Sequence, residues 1–166
     1  MKVAIQGCCH GELDVLYETL ANQSINLLII CGDFQCLRST VDLPSLACPP
    51  KYRRLGNFYE YYSGLKEAPF PTLFIGGNHE ASSYLWELFH GGFVAHNIYF
   101  LGFAGVVKFG GLRIGGVSGI YKDHHYNMGY YEKHPLNEDD CRSIYHTRRF
   151  NIYRLSQVSL PCFTKD

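Results

Sequence analysis

Three short apolar segments share one pattern, and this pattern limits the fold more than any other feature of the chain. Each begins with aliphatic residues, reaches a glycine, and continues into side chains that can bind a metal ion; the segments are residues 3–11, 27–33 and 73–80. Apolar runs of this length are typical of buried parallel strands. In an open α/β sheet, the carboxyl ends of such strands lie along one edge, where ligands bind. The sequence therefore predicts a site built from several strand ends.

The side chains predicted to meet at that edge carry sulfur, nitrogen and oxygen donors, namely Cys8, His10, Asp33 and Asn78. Mixed donors of this kind suit Zn, Fe or Mn better than Mg alone. A carboxylate such as Asp33 can bridge two cations about 3.5–4 Å apart, as in two-metal phosphoester hydrolysis. His79, next to Asn78, is then a candidate proton donor to the leaving oxygen. We interpret the set as a metal-dependent hydrolytic centre.

Each of these residues also has an ordinary structural interpretation. A cysteine at a strand end is usually a packed thiol, an aspartate after glycine can cap a turn, and an asparagine tolerates left-handed turn geometry. A histidine such as His79 can be a hydrogen-bonded structural residue. A further chemical alternative is a cysteine hydrolase, in which Cys8 or Cys9 attacks with help from His79. Neither a G-x-G-x-x-G motif nor a Walker glycine loop occurs in the sequence, so the sequence gives no sign of these two kinds of nucleotide-binding site.

Composition adds broad limits. The 166 residues are enough for one domain with a real core, and 46% of them are hydrophobic. The formal net charge is zero, so no global basic field indicates a nucleic-acid partner. The sequence has no apolar run of transmembrane length and enters a strand at once, so we expect no membrane partner and an intracellular location. The seven cysteines lack the spacing of a disulfide framework and are expected to be reduced thiols or metal ligands.

The hydrophobic pattern also predicts the order of the elements. The predicted strands are residues 2–8, 27–31, 72–75, 97–103, 106–109 and 112–117. The predicted helices are residues 12–21, 58–62, 82–89 and 150–158. Gly110-Gly111 is a strong signal for a hairpin between the last two strands. Parallel strands are expected first, and the sheet is expected to become antiparallel in the second half, as in a layered α/β sandwich.

Residues 118–149 are long, polar and rich in tyrosine and histidine, and they show no core periodicity. A segment of this length in a compact domain is usually functional or disordered. We therefore expect a functional loop, with a solvated insertion of incidental charge as the alternative.

At the predicted site the sequence resembles the calcineurin-like metallophosphoesterases, whose motifs are D-x-H, G-D and G-N-H-[DE]. The corresponding residues here are Cys8-Cys9-His10, Gly32-Asp33 and Gly77-Asn78-His79-Glu80. Cys8 stands where the superfamily has an aspartate, and this substitution resembles one family in particular, the RNA lariat debranching enzymes. The likeness covers nearly all of residues 1–157 and is lost in residues 158–166.

This resemblance implies an α/β fold: a layered metallophosphoesterase-type β-sandwich flanked by helices. Residues 1–157 would form a partial catalytic domain, followed by a divergent tail at 158–166. The implied activity is hydrolysis of the 2′,5′-phosphodiester bond at the branch point of excised intron lariat RNA, a step of mRNA processing. A nuclear location follows from that substrate.

The resemblance also implies roles for individual residues. Cys8, His10, Asp33 and Asn78 would bind divalent Fe²⁺, Zn²⁺ or Mn²⁺, and His79 would be the catalytic acid. The family's lariat recognition loop corresponds to residues 118–148. Its predicted RNA contacts are Lys122, His124, His125, Tyr126, Tyr130, Tyr131, Arg142, Tyr145 and Arg148. Branched RNA is therefore the expected partner, and we expect a monomer.

The family's metal centre also uses histidines from a G/S-H-D/E strand end and a G-H-x-H strand end, and neither motif occurs in this sequence. We therefore expect a truncated domain with an incomplete two-metal site. The second sheet should be incomplete as well, leaving apolar faces and edges that favour aggregation. Debranching activity should be impaired. The alternative is a catalytically inactive fragment that binds branched RNA or a protein.

Overall fold

The strands form one mixed sheet and one hairpin in the computed structural model, which describes residues 1–158. They are β1 (Val3–Gln6), β2 (Leu27–Cys31), β3 (Thr72–Ile75), β4 (Gly92–Ala95), β5 (Ile98–Phe100), β6 (Ala104–Phe109) and β7 (Leu112–Val117). In this part of the chain the sheet has the order β1-β2-β3-β5-β4, and only β4 is antiparallel to its neighbour. Strands β6 and β7 pair with each other alone.

Short helices connect and cover these strands. They are α1 (Leu13–Leu20), α2 (Phe58–Tyr62), α3 (Ser82–Glu87), α4 (Asp123–Tyr126), α5 (Glu138–Ser143) and α6 (Arg149–Ser156), with 3₁₀ turns at Thr40–Ser45 and Pro50–Tyr52. Helix α1 buries Leu13 and Tyr17, and the Tyr17 hydroxyl lies 3.0 Å from Thr72 Oγ1 at the start of β3. Within residues 1–158 no helix has the length and apolarity that a bilayer crossing requires.

A line of aromatic rings anchors the core directly behind the strand ends. The rings of Phe34 and Phe74 stack with centroids 3.9 Å apart, and Phe74 lies 5.0 Å from Phe100. All three side chains are fully buried. Because Phe34 follows Asp33 directly, this packing fixes the position of the aspartate that the sequence places in the metal centre.

The face of the sheet that carries Ile5 and Phe93 is partly open to solvent. Ile5 on β1 and Phe93 on β4 are 74% and 72% exposed. A cavity of about 360 Å³ lies between the sheet and the hairpin, with Leu73, Tyr99 and Val107 in its lining. The expected uncovered apolar face is therefore present among the described residues.

Most predicted elements are confirmed, with differences in bounds, number and direction. Strand β1 and helices α1 and α3 are shorter than predicted, α6 is shifted towards the N-terminus, and β6 begins earlier. Strand β4 was not predicted, because Gly91-Gly92 indicates a turn and the run that follows is only a few residues long. Strand β5, the middle of predicted strand 97–103, is parallel to β3, so the antiparallel part of the sheet is confined to β4. The predicted tail, residues 158–166, lies outside the described residues except for Val158.

Residues 118–148 are mostly irregular, as the sequence predicted, and the segment has internal structure that the sequence did not indicate. Helices α4 and α5 lie within it, and its two ends meet where the Thr147 hydroxyl donates a 3.0 Å hydrogen bond to the Ser118 carbonyl. Arg148 is fully buried and forms a 2.7 Å ion pair with Glu132. Such a polar interior leaves no hydrophobic periodicity in the sequence, which is why the pattern indicated a loop.

Acidification is expected to destabilise this segment. His125 and His146 face each other with their Nδ1 atoms 2.7 Å apart, so the pair cannot accept protons at both of these atoms. Burial, followed by the positive field of His125, Arg148, Lys122 and His124, lowers the pKa of His146 from 6.5 to about 4. The unfolded chain takes up the proton first, so the free energy of unfolding should fall as the pH drops from 6.5 towards 4.

Urea denaturation followed by circular dichroism at several pH values measures this effect. A His146→Gln variant should lose much of the pH dependence in that window, whereas His96→Gln, a change at an exposed site, should keep it. Equal pH dependence in His146→Gln and the unmodified chain would contradict the assignment.

Candidate metal centre

The loops after β1 and β2 are tied together by the backbone of Asp33. Its carbonyl accepts hydrogen bonds from the amides of His10 at 2.8 Å and Cys9 at 3.3 Å. His10, Asp33 and Gln35 all have positive φ, at 49°, 43° and 59°. Non-glycine residues in this region are uncommon and cluster at functional sites. The backbone therefore directs the side chains of two strand ends towards one point.

The loop after β3 reaches the same point through Gly77. A Cβ atom at this position would overlap the Asp33 carboxylate and lie 2.6 Å from its backbone nitrogen, so only glycine allows the approach. The amide of His79 donates a 3.0 Å hydrogen bond to Asp33 Oδ1, and the His79 ring Nδ1 lies 2.9 Å from Oδ2. The third strand end thus contacts both oxygens of one carboxylate.

Three predicted ligands converge as the sequence indicated. One donor atom each from Cys8, His10 and Asp33 lies within 4.8 Å of the other two, and His10 Nε2 is 3.9 Å from Asp33 Oδ2. Metal–ligand bonds of about 2.0–2.3 Å separate the donors of one ion by at most about 4.6 Å. Small side-chain rotations would therefore bring these atoms onto one divalent ion. Asn78 lies on the turn between Gly77 and His79, and its role as a ligand stays a prediction.

Gln35 holds the other side of the His10 ring. Its amide Nε2 lies 3.3 Å from His10 Nδ1, which leaves Nε2 of the ring directed towards Asp33. The contact orients the ring, and binding of a metal at Nε2 requires Nδ1 to donate, so the amide oxygen of Gln35 would then face Nδ1.

Glu80 is a component that sequence reasoning did not identify beyond its place in the motif. Its carboxylate is buried and accepts four backbone hydrogen bonds, from the amides of Phe34, Gln35, Cys36 and Gly77 at 2.7–3.3 Å. Burial raises its pKa, while the four backbone hydrogen bonds act in the opposite direction and favour the ionised form. The side chain joins the loops after β2 and β3 beneath the ligands.

Cys9 does not fit the alternative of a cysteine hydrolase. Its thiol is placed 3.6 Å from the Phe34 carbonyl, to which it donates a hydrogen bond. Burial raises its pKa to about 12, so the thiolate needed for attack does not form near neutral pH. Cys8 is exposed and grouped with His10 and Asp33, a setting that suits a metal ligand.

The predicted RNA-contacting residues fall into two groups. Among the accessible ones, Lys122, His124, Tyr131 and Arg142 are exposed, and His125, Tyr126 and Tyr145 are half-buried. Tyr145 lines a small cavity together with Gly77, on the loop that follows β3. Burial and the negative charge of Asp33 raise its pKa.

Two of the predicted contacts face the interior. Arg148 has no exposed surface, and its guanidinium bonds the Glu132 carboxylate and the His125 carbonyl. Tyr130 packs against Trp86 and Phe89, with ring centroids 5.3 Å and 5.2 Å away. The prediction of a direct RNA contact is therefore wrong for Arg148 in this conformation. Both residues support the segment that presents the accessible side chains.

A family model for calcineurin-like phosphoesterases matches residues 1–157. The chain belongs to this family. Use of divalent metal ions is implied by that membership, and the Cys8, His10 and Asp33 cluster is where this phosphoesterase chain offers donors for one.

Individual proteins resemble the chain over nearly its whole length. Over 97% of its length, the chain is 54% identical to the lariat debranching enzyme of Arabidopsis thaliana and 56% identical to that of Homo sapiens. It is 50% identical to the Drosophila melanogaster enzyme over 96% of its length. The chain spans 40%, 31% and 31% of the length of these three proteins.

Replacing Glu80 by glutamine should loosen the centre without touching a predicted ligand. Glutamine places an NH₂ group opposite backbone donors, so about two of the four amides lose their acceptor. We expect the Glu80→Gln variant to lose about 2–4 kcal/mol in the free energy of unfolding. Chemical denaturation measures this, with Glu67→Gln at an exposed position as the matched control. A loss no larger than in the control would show that Glu80 does not hold the loops together.

Proposed function

We propose that this chain carries the centre of an RNA lariat debranching phosphodiesterase, which hydrolyses the 2′,5′-phosphodiester bond at the branch point of excised introns. The observation that supports this most is the shared carboxylate of Asp33. It lies in the three-donor cluster with Cys8 and His10 and also contacts His79. Ligands for a phosphate-binding cation and a proton donor are therefore adjacent, as hydrolysis of a phosphodiester requires.

Different residues of the chain have different roles in the proposed reaction. Cys8, His10, Asp33 and Asn78 would hold the divalent cation, which when bound neutralises phosphoryl oxygens and acidifies water. Asp33 holds Nδ1 of His79, which fixes the ring and leaves Nε2 to donate the proton to the leaving 2′ oxygen. Glu80 keeps both loops in register through four backbone amides.

The donor set narrows the choice of ion. A thiolate from Cys8 beside an imidazole and a carboxylate favours Fe²⁺, Zn²⁺ or Mn²⁺ over Mg²⁺, because sulfur is a soft ligand. We propose one of these three ions as the metal.

Branched RNA is the proposed partner. Residues 118–148 begin and end beside the metal centre, since the Ser118 hydroxyl accepts a 2.9 Å hydrogen bond from the Gly76 amide and Gly119 donates one to the Gly76 carbonyl. Exposed aromatic and basic side chains on this segment can stack bases and bind phosphates. A nuclear location is proposed with this substrate, because introns are excised in the nucleus.

A second candidate function is binding of branched RNA without turnover. Among residues 1–158 the structure offers one cluster of three histidine, cysteine or carboxylate ligands. A second cation would share Asp33 and have Asn78 as its other predicted ligand, and such a position binds weakly. Under this second candidate the isolated chain binds branched RNA and does not cleave it.

Turnover of a synthetic 2′,5′-branched RNA tests both candidates. With Mn²⁺ added, the chain should bind the branched RNA more tightly than a linear RNA of the same composition and cleave it slowly. His79→Ala should lower any cleavage rate by roughly 10²–10⁴-fold without weakening binding, whereas His96→Ala should change neither. Cleavage that persists unchanged in His79→Ala would remove the acid role, and equal affinity for both RNAs would defeat the debranching proposal.

Cys8→Asp should change which metal is preferred. Replacing the soft sulfur by a carboxylate oxygen is expected to lower the ratio of zinc to manganese affinity by about tenfold or more. Titration calorimetry with each ion measures the ratio, and Cys31→Ser, an exposed cysteine outside the cluster, is the control. An unchanged ratio in Cys8→Asp would exclude Cys8 as a ligand.

A further inference from the structure

A second surface adjoins the metal centre and belongs to a different part of the chain from residues 118–148. It is a cleft of about 390 Å³, lined by His10 and His79 from the centre and by Tyr52 and Arg54 from the segment between β2 and α2. Ligand pockets of roughly 300–1,000 Å³ are the usual size for small molecules. The volume suits a single nucleotide and is too small for a base-paired duplex.

Local hydrogen bonds hold the segment that carries Tyr52 and Arg54 in place. Residues Pro50–Tyr52 form a 3₁₀ turn, and the Tyr52 amide donates a 2.9 Å hydrogen bond to the Pro49 carbonyl. Arg53 Nε donates a 3.0 Å hydrogen bond to the Cys48 carbonyl. Arg53 is therefore used to stabilise the segment, and its neighbours Tyr52 and Arg54 are presented on a fixed frame.

Arg54 supplies a free positive charge at this edge. Its side chain is exposed, and within residues 1–158 no ion pair or hydrogen bond engages its guanidinium. Arginine forms bidentate hydrogen bonds with phosphate more readily than lysine does. No acidic residue lies in the lining of the cleft, so an RNA phosphate would meet little repulsion there.

Tyr52 supplies a flat aromatic surface. It is 60% exposed, and the Lys51 ammonium lies 4.7 Å from its ring centroid. A base would stack on the exposed part of the ring, away from this cation. Stacking of a base on such a ring does not depend on sequence and stabilises single-stranded RNA binding.

We propose that this cleft is a nucleotide subsite, in which the base of one RNA nucleotide next to the scissile phosphate stacks on Tyr52 while its own phosphate binds Arg54. The inference rests on the proposed function, because a branch point sends strands in more than one direction from one phosphate. Residues 118–148 serve one strand and the cleft serves another. A phosphodiester in linear RNA joins two strand segments and a branch point joins three, so a further surface beside the centre adds a contact that only branched RNA uses in full.

The test measures binding of a fluorescein-labelled, 2′,5′-branched heptanucleotide to the 166-residue chain by fluorescence anisotropy, with chelator present to prevent cleavage. Tyr52→Ala and Arg54→Ala should each weaken binding roughly 5- to 100-fold, and Tyr52→Phe should restore it. Arg54→Ala should also make the slope of log affinity against log salt concentration shallower, by the amount expected for the loss of about one phosphate contact. The controls are Tyr153→Ala, which is 61% exposed on α6, and Arg113→Ala, an exposed arginine of the hairpin.

A second arm of the experiment identifies the strand. Branched RNAs with an abasic residue next to the branch, placed in one strand at a time, should show one position at which Tyr52→Ala has no further effect. Matching circular dichroism melting curves and manganese affinities establish that the variants fold and keep the metal centre.

The outcomes separate the two proposals. If Tyr52→Ala and Arg54→Ala bind like their controls while the unmodified chain still prefers branched RNA, the subsite is wrong and the debranching proposal stands. If the unmodified chain binds branched and linear RNA equally, both are wrong. Losses confined to the two cleft variants, with rescue by Tyr52→Phe, support the subsite.

Discussion

The carboxylate and carbonyl of Asp33 hold the loops that follow three parallel strands in one fixed arrangement. The carbonyl takes the amides that follow β1, and the carboxylate takes the amide and ring of His79 that follow β3. Gly77 makes this possible by leaving no side chain in the way. Every chemical role assigned to the centre depends on this contact, because ligands from separate loops bind one ion only if the loops are already in register.

Asp33 is in turn positioned by two neighbours. Phe34, the next residue, packs in the aromatic core, and the buried carboxylate of Glu80 accepts hydrogen bonds from amides of the loops after β2 and β3. Hydrophobic packing therefore fixes where the loop begins, and a polar network fixes its path. The left-handed residues His10 and Gln35 carry local strain that these two supports offset.

The convergence of Cys8, His10, Asp33 and His79 could be predicted because parallel strands end at a common edge, so short sequence patterns carry the three-dimensional information. The parts that depend on burial could not. From the sequence, Glu80 is only the last residue of a motif, and its hydrogen bonds with four backbone amides are visible only in the structure. The sequence predicts a surface cation at Arg148, whereas in the structure the buried carboxylate of Glu132 neutralises it. Tyr52 and Arg54 lacked a signal because a cleft is formed by segments that are separate in the sequence.

The Phe34 amide and the Glu80 carboxylate that accepts its hydrogen bond are 46 positions apart in the chain. The donor atoms are therefore held together by contacts between distant segments, and no single stretch of sequence contains the centre. A change that separated the loop after β2 from the loop after β3 would disperse the ligands even if every ligand residue were kept.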